Sequence, residues 1–259
     1  MFRHLFFDAH FHLIPSLEAG PVNLPENYIY SGMTCAHSRD EFILQHEKAE
    51  KLSSPSFKIY EAFGLHPQNP LSVNLGFLEE LLAANQIRAV GECGFDFYSE
   101  EYRRTEREQH SSFSSCLELA VKYQRPMVIH DRKALEALFY YKKLLAKLPS
   151  CIFHGFAFGI NEALSLINNG INAYFSFGKN LLRGSRKNAE CLLQLDKKRI
   201  LLETDAPFMT LKKQAFTPVT DISEVYKKAG EILELKEEEL CCLIKNNFNQ
   251  AYFLSTSTT

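Results

Sequence analysis

Eight short runs of β-branched and aromatic residues recur along the chain, and they restrict its possible folds more than any other feature. Segments with apolar residues at helical spacing separate most of these runs, and two further helical segments follow the last one. Such an alternation predicts an α/β protein with a parallel sheet. Eight units in 259 residues favour a single (β/α)8 TIM barrel, and a doubly wound open sheet is the alternative. The predicted strands cover residues 5–11, 28–35, 58–65, 88–92, 126–130, 151–154, 173–177 and 199–205.

One connection departs from this pattern. The segment between the first two runs contains four residues that interrupt helices, Pro15, Gly20, Pro21 and Pro25. We therefore expect a shortened or irregular first crossover, formed by a loop or a single turn. Because the chain has no internal repeat and no linker-like segment, we predict one hydrolase barrel domain over residues 1–259.

Charge, hydropathy and cysteine usage exclude several classes of protein. The 29 Lys and Arg residues nearly balance the 31 Asp and Glu residues, which excludes strong attraction of the whole molecule to nucleic acid but not a local basic groove. No segment approaches the roughly 20 apolar residues of a membrane span. The first residues also lack the apolar centre of a signal peptide, so we expect a cytoplasmic protein. The seven cysteines form no CxxC pair, which argues against a disulfide framework and a cysteine zinc site.

Six ionisable residues stand at the carboxyl ends of predicted strands. His10 and His12 form an H-x-H pair, and because residues i and i+2 of a strand share a face, both imidazoles can converge on one cation. In a barrel these strand ends meet on one rim, where active sites of this fold lie. One histidine in such a place is usually structural, but six residues in equivalent positions indicate a metal centre. The other histidines His37, His46 and His110 are assigned to strand interiors or helices. The remaining members of the set are Glu92, His130, His154 and Asp205.

The residue types in this set favour two divalent metal ions. Four imidazoles and two carboxylates without thiolates suit Zn2+, Mn2+ or Mg2+. Six ligands exceed the three that hold a single catalytic zinc, so two ions sharing a bridging carboxylate and a water are predicted. We predict Glu92 as the catalytic bridge and Asp205 as the ligand that accepts a proton from the bridging water. A metal lowers the pKa of such a water to about 7.

Ordered motifs extend across nearly the whole chain. They are DAHFHL at 8–13, GLHP at 64–67, GECGFDF at 91–97, PMVIHDR at 126–132, FHGFAFG at 153–159 and LLETDAPFM at 201–209. With these motifs the chain resembles the TatD family of metal-dependent hydrolases, within the amidohydrolase-like barrels. The resemblance implies a (β/α)8 barrel with the six ligands named above. It also implies that His66 contacts the substrate phosphate or the scissile group rather than a metal, and that the reaction is phosphodiester hydrolysis, chiefly by deoxyribonucleases with exonuclease character.

The chain departs from the family pattern at the substrate rim. Asp131 stands where the family has a small polar residue, and Phe158 interrupts a block that usually contains small residues. The element that follows the final aspartate is reduced to FTP at 216–218. These changes leave the ligand set intact and affect the substrate side.

Basic residues follow several predicted strands and favour an anionic substrate. We predict Arg132 as a substrate contact beside His66. Tyr98, Phe156 and Phe158 could stack on bases or pack in the core. The basic residues predicted to border the rim are Arg103, Arg104, Arg107, Arg132, Lys133, Lys179, Arg183, Arg186, Lys187, Lys212 and Lys213.

These observations together predict a metal-dependent phosphodiesterase, a deoxyribonuclease that cleaves nucleic-acid ends through a metal-bridging hydroxide. DNA is the expected substrate, and RNA is the alternative nucleic-acid substrate. An ester or amide hydrolase, such as an aminoacyl-tRNA deacylase, is an alternative because hydroxide attacks carbonyl carbon as readily as phosphorus. A non-catalytic nucleic-acid-binding barrel is a further alternative, which the intact ligand set disfavours.

Overall fold

A computed structural model of the protein describes residues 3–70 and 72–254. Its eight strands form one sheet in chain order, and every neighbouring pair is parallel. The predicted α/β class and barrel topology are therefore confirmed. The strands are β1 His4–Phe11, β2 Tyr28–Ala36, β3 Phe57–Phe63, β4 Ala89–Asp96, β5 Met127–Arg132, β6 Cys151–Phe153, β7 Ala173–Phe177 and β8 Ile200–Leu202.

Backbone hydrogen bonds connect the first strand to the segment that follows the last one. The Asp205 N–H donates to the His10 carbonyl at 3.0 Å, and the His12 N–H donates to the Ala206 carbonyl at 2.7 Å. Because an open sheet would leave these edges apart, the bonds exclude the doubly wound alternative. They nearly close the barrel and bring the carboxyl ends of β1 and β8 next to each other.

Helices surround the strands in the order that the periodicity predicts. The helix α2, Arg39–Leu52, begins at a favourable residue: the Ser38 hydroxyl accepts the Glu41 N–H at 3.2 Å, which satisfies a free donor of its first turn. No helix in the described ranges has both the length and the apolar character that crossing a membrane requires. The helices are α1 Leu13–Ala19, α2 Arg39–Leu52, α3 Leu75–Ala83, α4 Glu100–Arg103, α5 Glu106–Lys122, α6 Leu135–Tyr140, α7 Lys142–Leu145, α8 Ile160–Asn168, α9 Arg186–Gln194, α10 Ile222–Leu233 and α11 Glu237–Ala251.

The first crossover is short, as predicted, but it contains a helix. The helix α1 has seven residues, about two turns, where we expected a loop or a single turn. Pro15 is its third residue. The N–H groups of a first turn have no partner inside the helix, so a proline there removes no hydrogen bond. The remaining breakers, from Gly20 onward, lie beyond the helix.

The strand β4 extends further than its apolar pattern predicts. We expected this strand to end at Glu92, but it continues to Asp96, so Glu92 is its fourth residue. Cys93 and Phe95 are fully buried and continue the ladder to β5 beyond a register shift. A charged residue inside the barrel thus interrupts the apolar run without ending the strand.

Lys179 supports the loop that links β8 to α10. We placed this lysine among the rim cations, but it is 0% exposed, so that interpretation is wrong. Its ammonium group lies 2.5 Å from Asp221 Oδ2 and donates to Gln214 Oε1 at 2.6 Å and to Thr217 Oγ1 at 2.9 Å. A buried charge needs such partners, and here the partners all belong to the same loop region.

We expect Lys179→Met to lower the free energy of unfolding by about 3 kcal/mol. Methionine keeps the apolar stem of the side chain but leaves the Asp221 carboxylate without its buried partner. An uncompensated charge of this kind accounts for most of the stability that is lost when one member of a buried pair is removed. Urea denaturation would measure the change. The matched control is Lys187→Met on the exposed face of α9, where we expect a change within about 0.5 kcal/mol. Equal stability of the two variants would contradict the anchoring role.

Candidate metal centre

The structure brings the six predicted ligand residues together at the carboxyl end of the barrel, around the buried carboxylate of Glu92. One carboxylate oxygen, Oε2, faces β1: it lies 3.2 Å from His10 Nε2 and 3.5 Å from His12 Nε2. Asp205 completes this side, with its Oδ1 3.6 Å from His10 Nε2 and 3.5 Å from His12 Nε2. The shared face of residues i and i+2 is the reason that both imidazoles point to one spot.

The other oxygen of Glu92, Oε1, faces β5 and β6. It lies 2.6 Å from His130 Nδ1 and 2.6 Å from His154 Nε2. The two histidine nitrogens are themselves 3.1 Å apart. A single carboxylate therefore separates two groups of nitrogen ligands, one on each of its oxygens. This is the arrangement that a bridging ligand between two ions requires.

Divalent ions fit this donor set. Among the described residues, three groups of ligand atoms lie mutually within 4.8 Å, namely His10, His12 and Glu92; His10, His154 and Asp205; and His66, Glu92 and His130. Within the described part of the chain, Glu92 Oε2 is a buried acceptor without a hydrogen-bond donor. A buried carboxylate oxygen in that condition is costly unless a cation or a donor occupies the space beside it.

Electrostatics in the cluster are dominated by Glu92. Burial by itself would raise the pKa of Glu92, but the positive charge of His154 and neighbouring histidines outweighs it and holds that pKa well below its usual value. In the same way, burial opposes the charged form of His154, yet Glu92 and Glu203 raise the pKa of His154 well above its usual value. The site thus favours an ionised carboxylate beside positive charge, which a metal ion can supply in place of protons.

Asp205 holds an unusual backbone conformation. Its φ is 54°, in the left-handed region, which aspartate tolerates better than most residues. The backbone hydrogen bond to His10 maintains this conformation at the point where the barrel closes. Burial alone would raise the pKa of Asp205, but the hydrogen bond with His12 and the charge of His10 hold that pKa below its usual value. The carboxylate is therefore ionised at neutral pH and turned toward the histidine pair.

Two further acidic residues support the cluster and were not predicted as site residues. Asp96 Oδ2 lies 3.2 Å from His130 Nε2 and accepts a hydrogen bond from Gln68 Nε2 at 2.8 Å. This contact directs the opposite nitrogen, Nδ1, toward Glu92, as carboxylates commonly do for metal-binding histidines. Glu203 Oε1 accepts the Gly155 N–H at 2.6 Å and lies 3.8 Å from His154 Nδ1. A sequence signal existed for Asp96, since it follows Glu92 by four residues and so lies on the same face of β4.

Asp8 links β1 to β2 and to the segment that follows β8. Its carboxylate accepts hydrogen bonds from the Thr204 N–H at 3.0 Å, the Thr204 hydroxyl at 2.6 Å and the Tyr30 hydroxyl at 2.8 Å. Burial raises the pKa of Asp8 to about 7, despite these donors. Because Asp8 and His10 alternate along β1 and His12 directly follows the strand, one side of this segment carries both the support and the candidate ligands.

His66 lies beside the cluster, and its hydrogen bonds define its role. The Gln68 N–H donates to His66 Nδ1 at 3.2 Å, so the ring proton of the neutral imidazole is on Nε2. That nitrogen lies 3.3 Å from Glu92 Oε1. His66 is therefore oriented as a hydrogen-bond donor to an oxygen, which differs from the lone pair that a metal ligand needs.

His37 also lies in the cluster, although it was not predicted as a site residue. It directly follows β2, which ends at Ala36, and its Nε2 is 3.9 Å from Glu92 Oε2. Our assignment to a strand interior or helix was wrong because it overlooked that His37 follows an apolar run, as the predicted ligands do. His46 on α2 pairs with Glu61, and His110 on α5 contacts Tyr141, so both lie elsewhere.

Arg132 stands on the rim, two residues beyond His130. Its guanidinium carbon lies 3.7 Å from the centre of the Tyr98 ring, and Lys133 Nζ lies 4.6 Å from the same ring. Tyr98 is 53% exposed, so an aromatic face and two cations meet at the mouth of the barrel. By contrast, Phe156 is buried, with its ring 4.7 Å from that of Phe175, and belongs to the core.

Comparison with known proteins is consistent with this geometry. The family described as TatD related DNase matches residues 7–253. The metal-dependent hydrolase YabD of Bacillus subtilis, described as uncharacterized, is 26% identical over 202 residues, which cover 75% of this chain and 77% of that protein. The 3′-5′ ssDNA/RNA exonuclease TatD of Klebsiella pneumoniae is 29% identical over 167 residues, 63% of each chain. The crystal structure of YJJV, a TatD homologue from Escherichia coli K12, has a TM-score of 0.77 at 23% identity and covers 96% of this chain and 98% of its own.

Proposed function

The chain belongs to the TatD related DNase family and is a metal-dependent hydrolase of the TatD type, and on that premise we propose that it hydrolyses phosphodiester bonds at the ends of nucleic acids. The observation that carries the proposal is the Glu92 carboxylate, whose two oxygens face separate groups of imidazoles. A relative described as an exonuclease on single-stranded DNA and RNA supports the substrate class.

Two divalent ions are the proposed cofactors. One would be held by His10, His12, Asp205 and Glu92 Oε2, and the other by Glu92 Oε1 with His130 and His154. When bound, such a pair lowers the pKa of a water to about 7 and stabilises charge on the attacking and leaving oxygens of a phosphodiester.

The protein's own residues would bind the substrate and transfer the proton. Asp205 is ionised, and one of its oxygens contacts the histidine pair, so its other carboxylate oxygen is available to accept a proton from the attacking water. His66 Nε2–H would donate to a phosphate oxygen, as it now faces Glu92 Oε1. Arg132 would bind the next phosphate, and Tyr98 would stack on a base.

A panel of substrates tests the bond that is cleaved. With Mg2+, Mn2+ or Zn2+ present, we expect mononucleotides to be released from end-labelled single-stranded DNA or RNA, and we expect aminoacyl esters and simple carboxyl esters to be cleaved at least about a hundredfold more slowly. Protein treated with a chelator is the control and should release nothing. Faster hydrolysis of the carbonyl substrates would replace the nuclease proposal by the esterase alternative. Tight DNA binding without any hydrolysis would favour a non-catalytic barrel.

A further inference from the structure

His37 has a buried nitrogen without a partner. The side chain is 21% exposed, but Nε2 itself is inaccessible and makes no hydrogen bond to any residue in the described ranges. The ring lies between two rings of the cluster, with centroids 5.5 Å from His12 and 5.0 Å from His66. A polar atom held in this way normally faces a ligand or an ion.

The hydrogen bonding of His37 shows which nitrogen carries the proton. His37 Nδ1 lies 3.3 Å from the carbonyl oxygen of Gly64. A carbonyl oxygen only accepts hydrogen bonds, so Nδ1 must be the donor, and in the neutral ring Nε2 carries the lone pair. That nitrogen lies 3.9 Å from Glu92 Oε2.

Glu92 Oε2 is also an acceptor without a hydrogen-bond donor within the residues that the structure describes. Two acceptors facing each other are stable only if something positive or a hydrogen-bond donor lies between them. The spacing suits one ion: zinc binds nitrogen and oxygen at about 2.0–2.2 Å, so two of its ligand atoms can be up to about 4.2 Å apart.

His66 provides a contrast within the same cluster. Its Nδ1 accepts the Gln68 N–H, so its Nε2 is a donor, and that donor already faces Glu92 Oε1. The two neighbouring histidines therefore have opposite tautomers. His66 is suited to contact an anion, whereas His37 is suited to bind a cation.

We propose that His37 is an additional ligand of the ion on the β1 side, together with His10, His12, Asp205 and Glu92 Oε2. This inference rests on the proposed two-ion centre and goes beyond the six residues of that proposal. A third imidazole makes this position richer in nitrogen than its partner on the Oε1 side. Imidazole favours zinc and related transition metals, whereas magnesium prefers oxygen ligands and water. His37 therefore biases the β1-side position toward zinc.

The test measures metal affinity rather than activity. Metal-free wild-type protein and His37→Asn are titrated with Zn2+ in competition with a chromophoric chelator, and separately with Mg2+. We expect His37→Asn to weaken zinc binding at one of two positions by about 10- to 100-fold, a range that the loss of even an outer partner of a ligand can reach. Magnesium affinity should change less than about threefold. In the cobalt-substituted proteins, the visible absorption of one ion should change with the loss of a nitrogen ligand.

Two further histidine variants serve as controls. His46→Asn removes a histidine on α2 that contacts Glu61, outside the cluster, and should retain the zinc affinity of the wild type. His110→Asn, on α5 beside Tyr141, should also retain zinc affinity. A thermal melt of each metal-free protein shows whether it is folded, and His37→Gln is a second variant should His37→Asn be unstable.

The outcomes separate the two proposals. If the wild type binds two zinc ions and folded His37→Asn binds both with unchanged affinity and an unchanged cobalt spectrum, the inference about His37 is overturned while the centre stands. If zinc and magnesium affinities fall equally, nitrogen ligation by His37 is likewise overturned. Wild-type protein that binds no divalent ion would overturn the two-ion centre itself.

Discussion

Glu92→Gln should lower the hydrolytic rate by at least about a thousandfold. The substitution keeps the shape of the side chain but removes the carboxylate whose two oxygens face the two groups of imidazoles. Ions in such a site contribute several kcal/mol of transition-state stabilisation, and about 4 kcal/mol corresponds to that factor. Elemental analysis of the purified variant should show the loss of at least one of the two ions.

A matched control distinguishes this effect from a general loss of charge. Glu190→Gln on α9 removes a carboxylate that is exposed to solvent, and it should leave both the metal content and the rate unchanged. A Glu92→Gln protein that retains two ions and wild-type activity would show that Glu92 does not bridge them.

Asp205→Asn should lower kcat by about 100- to 10,000-fold, the usual contribution of a general base, with a small change in KM. Asparagine also tolerates the left-handed backbone found at this position, so the turn at φ 54° and its hydrogen bond to His10 should persist. The variant therefore removes the proton acceptor with little change in the surrounding backbone. Single-turnover kinetics on single-stranded DNA would measure the loss.

The pH dependence provides a second measure of Asp205. Neighbouring histidines hold the pKa of Asp205 below its usual value although burial opposes this, so the carboxylate loses function only when the pH falls through that lowered pKa. Between pH 5 and 8 its protonation does not limit the rate of the wild type. The plot of kcat against pH for Asp205→Asn should therefore have the wild-type shape in this range, at lower kcat. The control Asp40→Asn, at an exposed position on α2, should match the wild type in both shape and kcat. Equal kcat in Asp205→Asn and the wild type would remove Asp205 from its proposed role.

The barrel was predictable because its signals are local. Apolar periodicity of two or 3.6 residues is present in each segment, and eight such units have few ways to assemble. The end of β4 was not predictable, since the charge of Glu92 interrupts the apolar run although the ladder to β5 continues. The helix α1 was missed because proline is unfavourable in most helix positions but not in the first turn.

Other features depend on contacts between distant segments. Lys179 has the same sequence context as an exposed rim cation, and only the fold shows that Asp221 and the loop before α10 bury it. The contribution of His37 depends on which of its nitrogens meets the Gly64 carbonyl. The orientation of the His37 ring cannot be predicted from the periodicity of the sequence. Its position after a strand, by contrast, could have been predicted.

The hydrogen bonds between β1 and the chain after β8 connect metal occupancy to the mechanical integrity of the barrel. Three proposed ligands, His10, His12 and Asp205, flank the junction where the first and last strands meet. An ion bound across that junction would hold the two segments together. By mass action, an ion whose free concentration is a hundred times its dissociation constant would stabilise the closed barrel by about 2.7 kcal/mol. Depletion of metal would thus weaken the barrel first at the junction between β1 and the segment that follows β8.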